Sequence, residues 1–424
     1  MTGGGTSTTP LLRYSVTLFM PEIPVWVVVG LGFGDEGKGL ATDYLCRELP
    51  GALVVRFNGG PQAGHTVVAA DGRRHVFSSF GAGTLRGCPT YWSRYCPVAP
   101  GPMLREYAAL RELGVQPRLL LDGRCPVITH YDVLWNRAQE AARGAARHGS
   151  CGLGFGATIE RQETTPLRLY AQDLAFPEVY QHKLHQIRAH YRSRCQQETS
   201  IPFDQLDHDA EDQRFVDYAR QLQALRQQEA VELVQEAEVL APLAPWPALV
   251  FEGAQGVLLD QEFGLFPHVT RSYTTSRNAL ELLAWHRPGA AARVLYVSRA
   301  YHTRHGAGPL PHADVPVPLI HHEQETNQFN DYQEHFRRAP LSVNLLNYAL
   351  QCDANFSAGL EKHLLLTCLD QLPDGRIPAC VEGQHRPLAA TELGGLLDEG
   401  LANYVFSYGP CADDLPPLPT FAAR

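Results

Sequence analysis

Residues Gly32-Phe33-Gly34-Asp35-Glu36-Gly37-Lys38-Gly39 place an aspartate and a lysine inside a glycine-rich turn. Glycines let backbone N–H groups approach an anion closely, and a helix starting just after them adds partial positive charge, so the turn reads as a phosphate cradle. Gly32, Gly37 and Lys38 fit the G-x-x-x-x-G-K core of a nucleotide loop, but Gly39 stands where the magnesium-binding hydroxyl belongs. A metal there needs another ligand, and Asp35 is the nearest. A second cluster, Asn58-Gly59-Gly60-Pro61-Gln62-Ala63-Gly64-His65-Thr66, brings in a histidine. A carboxylate that takes a proton and an imidazole that donates to a phosphoryl oxygen together suit phosphoryl transfer. The bland alternatives are an ordinary glycine turn and a histidine satisfied within its own loop. A dinucleotide fingerprint fits less well, because Gly30-Leu31-Gly32-Phe33-Gly34-Asp35 lacks the third glycine.

These residues need particular elements to hold them. Residues 25–29 are a β-branched run of buried-strand type and residues 40–45 begin a helix, which is the strand, turn, helix context such a loop requires. Up to about Ile128, short apolar strands (52–57, 119–121) alternate with helical stretches such as 101–113, the rhythm of a parallel sheet. Cys151-Gly152-Leu153-Gly154-Phe155-Gly156 is a further glycine-rich loop. Residues 176–240 are polar and helix-forming, and read as a solvated helical insertion without chemistry. Strands resume at 248–251, 294–297 and 364–367, and ligands of open parallel sheets collect where such strands end. The fold expected is α/β: a central, mostly parallel sheet with flanking helices, a P-loop-like nucleotide core and helical insertions. Residues 1–22 read as a disordered leader, 23–424 as a single large domain, and proline-rich 415–419 as a tail.

Composition narrows the function classes. Among 424 residues, 36 Lys plus Arg face 45 Asp plus Glu, a net charge of −9 that weighs against a broad grip on nucleic acid. Ten cysteines without a C-x-x-C pair weigh against a zinc ribbon or a disulfide scaffold and suit reduced thiols in a cytoplasm. No stretch reads as a membrane span.

Taken in series, the motifs resemble those of the adenylosuccinate synthetase family. They comprise residues 34–39, 58–60 with 63–66, 251–256 followed by 258–260, 269–270 with 274–275, and 300–301 with 303–304 and 306–309. Thr367 with Leu369-Asp370, and Ser407 with Gly409-Pro410, complete the set. The likeness runs from about Val25 to Pro410 and keeps the family's order. It implies a cytoplasmic, homodimeric ligase of purine nucleotide synthesis that couples IMP to L-aspartate with GTP and Mg2+. The purine 6-oxygen is phosphorylated first and the amino group then displaces phosphate, because oxide alone leaves too poorly.

Carried over by position, the catalytic residues are Asp35, His65, Lys38 and Gln255. Asp35 takes the proton from purine N1 and ligates magnesium together with the Gly64 carbonyl, while His65 stabilises the transferring γ-phosphoryl group. Gly34, Glu36, Gly37, Gly39, Gly64 and Thr66 join Lys38 around the GTP phosphates. Asp370 accepts from the guanine N–H edge, with Ser407 and Gly409 closing that pocket. Gln62, Ala63, Thr270 and Gln255 contact the inosine nucleotide, and Cys151 and Gly152 its phosphate. Arg337 and Arg338 hold the carboxylates of aspartate.

Departures from the family pattern fall on recognition. Leu40 replaces a lysine, Gln62 an asparagine, Cys151 a threonine, and Cys368 a lysine that packs over guanine, which leaves GTP against ATP open. Segment 327–340 replaces a glycine-threonine stretch rich in arginine; only Arg337 and Arg338 remain, beside the acidic Asp331 and Glu334. The amine donor is therefore aspartate or another amine, and a sibling ligase acting on another purine nucleotide is the rival reading. A nucleotide-binding regulator without turnover is a third, against which Asp35, Lys38, His65 and Gln255 argue. The arginine that the family supplies across its dimer interface has no clean counterpart; Arg161 and Arg168 both lie near its position, and neither aligns with it.

Overall fold

The computed structural model describes residues 23–199, 202–320 and 336–418. Nine strands form the central sheet: β1 (Val25–Gly30), β2 (Leu53–Arg56), β5 (Thr90–Trp92), β6 (Leu119–Asp122), β7 (Val231–Val234), β8 (Leu249–Glu252), β9 (Ala292–Arg299), β13 (Glu361–Thr367) and β16 (Asn403–Phe406). Their order is β16-β13-β9-β1-β8-β2-β5-β6-β7, and every pairing among them is parallel. The remaining strands make small ribbons: β3 (His65–Val68) with β4 (Arg74–Phe77), β10 (His302–Arg304) with β11 (Arg337–Ala339), and β12 (Leu341–Ser342) with β14 (Ile377–Val381) and β15 (Gln384–Leu388).

The sheet sits where it does because β1 is apolar on both faces, the pattern of a strand covered twice. Side chains alternate along it. Trp26 and Val28 pack with Leu40, Tyr44 and Leu45 of α1 (Lys38–Glu48). Val25, Val27 and Val29 pack on the other side with Leu282 of α8 (Arg277–His286) and Leu346 and Leu350 of α9 (Val343–Ser357). A third cluster gathers α2 (Pro100–Glu112), α3 (His130–Arg143), α5 (Pro177–Glu198) and α6 (His208–Gln227) against β5, β6 and β7.

This third cluster corrects the reading of residues 176–240 as solvated helices. In α5, Tyr180, Leu184, Ile187, Tyr191 and Cys195 form one buried stripe at three- and four-residue spacing, and α6 buries Phe215, Ala219 and Leu222. The same stretch supplies β7, the edge strand of the sheet, before the short α7 (Glu236–Val239). The segment read as a tail is also anchored at its start. Leu415 is buried beside α1, and Arg47 donates to the carbonyls of Ala412, Leu415 and Pro416. Among the described residues no helix is long and apolar enough to cross a membrane. The leader 1–22 and residues 327–335, with Asp331 and Glu334, lie outside the described residues.

Candidate active site

Five of the loops singled out above leave the same edge of the sheet, whereas Cys151 to Gly154 connect two helices. β1 ends at Gly30 before the Gly32–Gly39 turn, β2 at Arg56 before the Asn58–His65 cluster, and β8 at Glu252 before Gly253 to Gly256. β13 ends at Thr367 before Cys368 and Asp370, and β16 at Phe406 before Ser407 and Gly409. That shared edge follows from all strands being parallel, and it makes a crevice at their carboxyl ends. A cavity of about 700 Å³ fills it, within the range of small-molecule sites.

Gly34, Asp35, Gly37, Lys38, Gly39, Gln62, Ala63, Gly64, His65 and Thr66 line this single cavity, together with Cys151, Gln255, Thr270, Asp370 and Gly409. Glu36, Gly152, Ser407, Arg337 and Arg338 stand off it. Glu36 is turned inward: its carboxylate accepts from Gly32 N (3.0 Å) and Gly34 N (2.7 Å) and ion-pairs with Lys38. It shapes the phosphate loop from within rather than reaching ligand. The Ser407 hydroxyl donates to Gly409 O at 2.7 Å, and the Gly152 carbonyl accepts from Arg137 Nε at 3.1 Å. Arg337 donates to Gly306 O and Gly308 O (2.6 and 2.8 Å), so it holds the glycine loop on the cavity rim.

Asp35 adopts a left-handed backbone, φ 61, which directs its carboxylate into the cavity beside His305, Nε2 to Oδ2 3.0 Å. Burial pushes the Asp35 carboxyl up, but the hydrogen bond and charge of His305, with Arg299 and Lys38, outweigh it and hold the group below its ordinary value. It is a ready carboxylate. Arg299 Nε also donates to the Asp35 carbonyl at 2.5 Å, and Thr367 Oγ1 to the Glu36 carbonyl at 2.7 Å, so β9 and β13 brace the loop.

His65 lies opposite, on the first residue of β3. Its Nδ1 meets the Glu252 carboxylate at 2.5 Å, and the other Glu252 oxygen accepts from Ala82 N at 3.0 Å. Burial lowers the imidazole most; Glu252 raises it, Arg56 and Lys38 lower it, and the net direction is down. Glu252 itself is held below its ordinary value: burial raises it, but the charges of His65 and Arg56 lower it further. The resting pair is thus a neutral imidazole with its proton on Nδ1, facing a carboxylate, with Nε2 left for ligand.

Some polar atoms on the cavity wall have no partner among the described residues. Both amide atoms of Gln62 and the Oε1 of Gln255 are buried and unpaired, the state expected of groups that a bound ligand satisfies. Further along, Asn136 and Glu140 of α3 hold the loop carrying Cys151: Glu140 accepts from Gly149 N and Ser150 N, and Asn136 from Ser150 Oγ and Gly154 N.

Sequence reasoning missed His305, Arg299 and Glu140 as wall residues. His305 and Arg299 were legible only as polar residues at the end of β9 and just beyond β10. Arg304 also lines the cavity; burial, with the charge of Arg337 behind it, brings its guanidinium down to about 10. Of the two candidate interface arginines, Arg161 is overturned. It is fully buried and binds Asp132 at 2.9 Å and the Leu167 and Val127 carbonyls, so it cannot leave the subunit. Arg168 is exposed.

Comparison with known proteins follows the same line. The family model described as adenylosuccinate synthetase matches residues 27–381. The adenylosuccinate synthetase of Pseudomonas paraeruginosa (strain DSM 24068 / PA7) is 34% identical over 295 residues, covering 67% of this chain and 64% of the relative. That of Ralstonia pickettii (strain 12J) is 32% identical over 324 residues, 76% of this chain and 66% of the relative. The chain thus spans slightly less than two thirds of the length of these curated relatives. Among solved structures, the fully ligated adenylosuccinate synthetase from Plasmodium falciparum superposes with a TM-score of 0.71 at 18% identity, over 92% of this chain and 99% of that one. The succinoaminodeoxyadenylate synthetase of cyanophage S-2L, bound to dGMP and to dATP as an energy donor, gives 0.60 at 19%, over 94% and 96%. These two likenesses establish the fold. With the family pattern running across most of the sheet and most of the loops at its carboxyl edge, the chain belongs to the adenylosuccinate synthetase family.

Proposed function

We propose that this chain is a GTP-dependent ligase that joins L-aspartate to IMP through 6-phosphoryl-IMP. The observation that carries the reading is that Asp35 and His65, from two different loops, face one cavity with Lys38, Gln255 and Asp370 on its wall. In the first step Asp35 accepts the N1 proton, the 6-oxygen attacks the γ-phosphorus, and GDP leaves. In the second the amine attacks C6 and phosphate leaves with the bonding pair. Because Asp35 is already a carboxylate, it is competent as a base in the resting site.

His65 reaches its donor form when the negative charge of a polyphosphate opposes the lowering by burial, Arg56 and Lys38. Its Nε2–H then meets charge that grows on the γ-phosphoryl oxygens. Lys38 must exchange Glu36 for phosphate. The Asp35 carboxylate and the Gly64 carbonyl are hard oxygen donors on the cavity wall, which suits Mg2+ held by few protein ligands plus phosphate oxygens. Bound there, Mg2+ would supply charge neutralisation to the triphosphate. Homodimerism is part of the reading, with Arg168 the remaining candidate to cross the interface.

A second reading has one observation in its favour. Arg337 is engaged with Gly306 and Gly308, and the cations on the cavity wall are others, Arg299 and Arg304 among them. A sibling ligase with another amine donor or purine nucleotide fits that arrangement, as the name of the cyanophage relative illustrates. Mixing purified protein with IMP, aspartate, GTP and Mg2+, and following purine absorbance with phosphate release, separates the two. Aspartate-dependent product supports the first reading. Phosphate release that needs a different amine or nucleotide replaces it with the second, and tight nucleotide binding without turnover overturns both.

A further inference from the structure

The geometry points to a metal-binding site remote from the cavity, made by His312, Cys380 and His385 and suited to Zn2+. Cys380 on β14 and His385 on β15 are direct partners across an antiparallel pair, so their side chains stand on the same face of the ribbon. The register is fixed by a two-residue turn, Glu382 and Gly383, both with left-handed backbone (φ 49 and φ 81). His312 arrives from the loop beyond Gly308 with φ 65 and sets its ring edge-on to that of His385, centroids 4.8 Å apart. One ligand atom from each of the three residues lies within 4.8 Å of the others. None of the three lines the cavity described above.

The donor set decides the ion. One thiolate and two imidazoles are borderline-soft ligands that favour Zn2+ and disfavour Mg2+ or Ca2+, which take oxygen. Ligand atoms around tetrahedral zinc stand about 3.5 Å apart, given Zn–S of about 2.3 Å and Zn–N of about 2.0 Å. Closing to that separation takes an adjustment of the two imidazoles over the buried thiol, and His312 is only partly buried while His385 is exposed. Cys380 is only 2% exposed, so the thiolate forms the floor of the site, while the exposed histidine edge leaves an entry path and a fourth position for water. An ion here would fasten the loop that starts at the cavity rim, with His305 seven residues before His312, to the β14–β15 ribbon.

The test uses the full chain stripped with chelator and titrated with Co2+ as a spectroscopic stand-in, followed by Zn2+. The expected result is one equivalent of Co2+ with a cobalt–thiolate charge-transfer band that Zn2+ bleaches. Saturating Zn2+ should also raise the melting midpoint by about 3 °C at a hundredfold excess over Kd. Cys380→Ser should abolish the band, His385→Ala should weaken binding by about tenfold or more, and Cys411→Ser should change neither. Absence of a thiolate band, or a band that survives Cys380→Ser, overturns the site. If Cys380→Ser fails to fold, unchanged Co2+ affinity in His385→Ala, which alters an exposed residue, overturns it equally.

Discussion

Replacing Glu252 by glutamine tests how the imidazole is held and charged. In the native site one carboxylate oxygen faces His65 Nδ1 and the other accepts from Ala82 N. Ala82 N is a donor and His65 Nδ1 carries the proton in the resting tautomer, so glutamine, with one oxygen and one NH2, leaves one donor facing a donor unless the imidazole moves its proton to Nε2. An unmet buried donor costs about 1–3 kcal/mol. The substitution also removes negative charge near Arg56, whose three guanidinium nitrogens are buried with no hydrogen-bond partner among the described residues. Breaking a buried pair by removing one member costs about 3–5 kcal/mol, and the larger figure subsumes the smaller. At about 2.1 cal/mol/K per residue the unfolding entropy of the 424-residue chain is about 0.9 kcal/mol/K, so the melting midpoint falls by about 3–6 °C and the protein remains folded at room temperature.

The catalytic consequence follows from sign. Glu252 is the influence that raises the His65 imidazole, whereas burial, Arg56 and Lys38 all lower it. Without the carboxylate the imidazolium becomes harder to form, so turnover should drop by about 10²–10³-fold, the range seen when one stabilising donor is lost. The limb of the pH–rate profile that requires a protonated group should move to lower pH. The assays are phosphate release across pH and calorimetric melting. A variant that melts several degrees lower but keeps native turnover and an unmoved pH profile would refute the coupling between Glu252 and His65.

Asp35→Asn should leave nucleotide binding nearly intact and reduce kcat by about 10²–10⁴-fold in steady-state assays, since it removes the base and keeps the cradle. Because His65 starts with a value below 6.5, binding of GTP near neutral pH should take up to about one proton; calorimetry in two buffers of different ionisation heat should show this uptake, and His65→Ala should lose it. Arg161→Met should destabilise by about 3–5 kcal/mol in chemical denaturation, by stranding the buried Asp132, whereas Arg168→Ala should leave stability within about 0.5 kcal/mol and weaken nucleotide binding. Asp370→Asn should raise the KM for GTP by about tenfold or more, about 1.4 kcal/mol, while changing ATP use less, as measured by competing the two donors.

How much of this was legible beforehand depended on whether a residue's partner lay nearby in sequence. β1 and α1 could be read because a continuous β-branched run, a glycine turn and a helix all signal locally. β7 could not, since Val231-Glu232-Leu233-Val234 is four residues long, follows a polar helix, and buries only Val231 fully. The buried stripe of α5 was masked by the polar residues between its members. At the site, the glycines, Asp35, Lys38 and His65 announced themselves by type and spacing. Glu36 misled for the same reason: a glutamate in a phosphate loop resembles a ligand group, and only the folded turn shows its carboxylate capping Gly32 N and Gly34 N. His305, 270 residues after Asp35 and joined to it by an ion pair, carried no sequence signal of that partnership.

Backbone strain gives an independent reason to locate chemistry at this edge of the sheet. Among the described residues, Asp35 (φ 61), Gln255 (φ 56) and Cys368 (φ 63) hold left-handed backbone without being glycine, a state that costs on the order of 1–3 kcal/mol each. All three lie within five residues of a strand's carboxyl end, and all three line the cavity. Of the other three, Glu229 and Glu382 sit in tight turns and His312 in the cysteine–histidine cluster. A strand end in ordinary backbone continues away from the crevice. Left-handed backbone turns the chain sharply at these residues, where Asp35 meets His305 and Gln255 leaves its amide oxygen unpaired. Glycine would make the same turn at less cost but would bring no carboxylate or amide. The strain persists because the bracing bonds from Arg299 to the Asp35 carbonyl and from Thr367 to the Glu36 carbonyl over-determine the turn, so that the base is positioned before any ligand arrives.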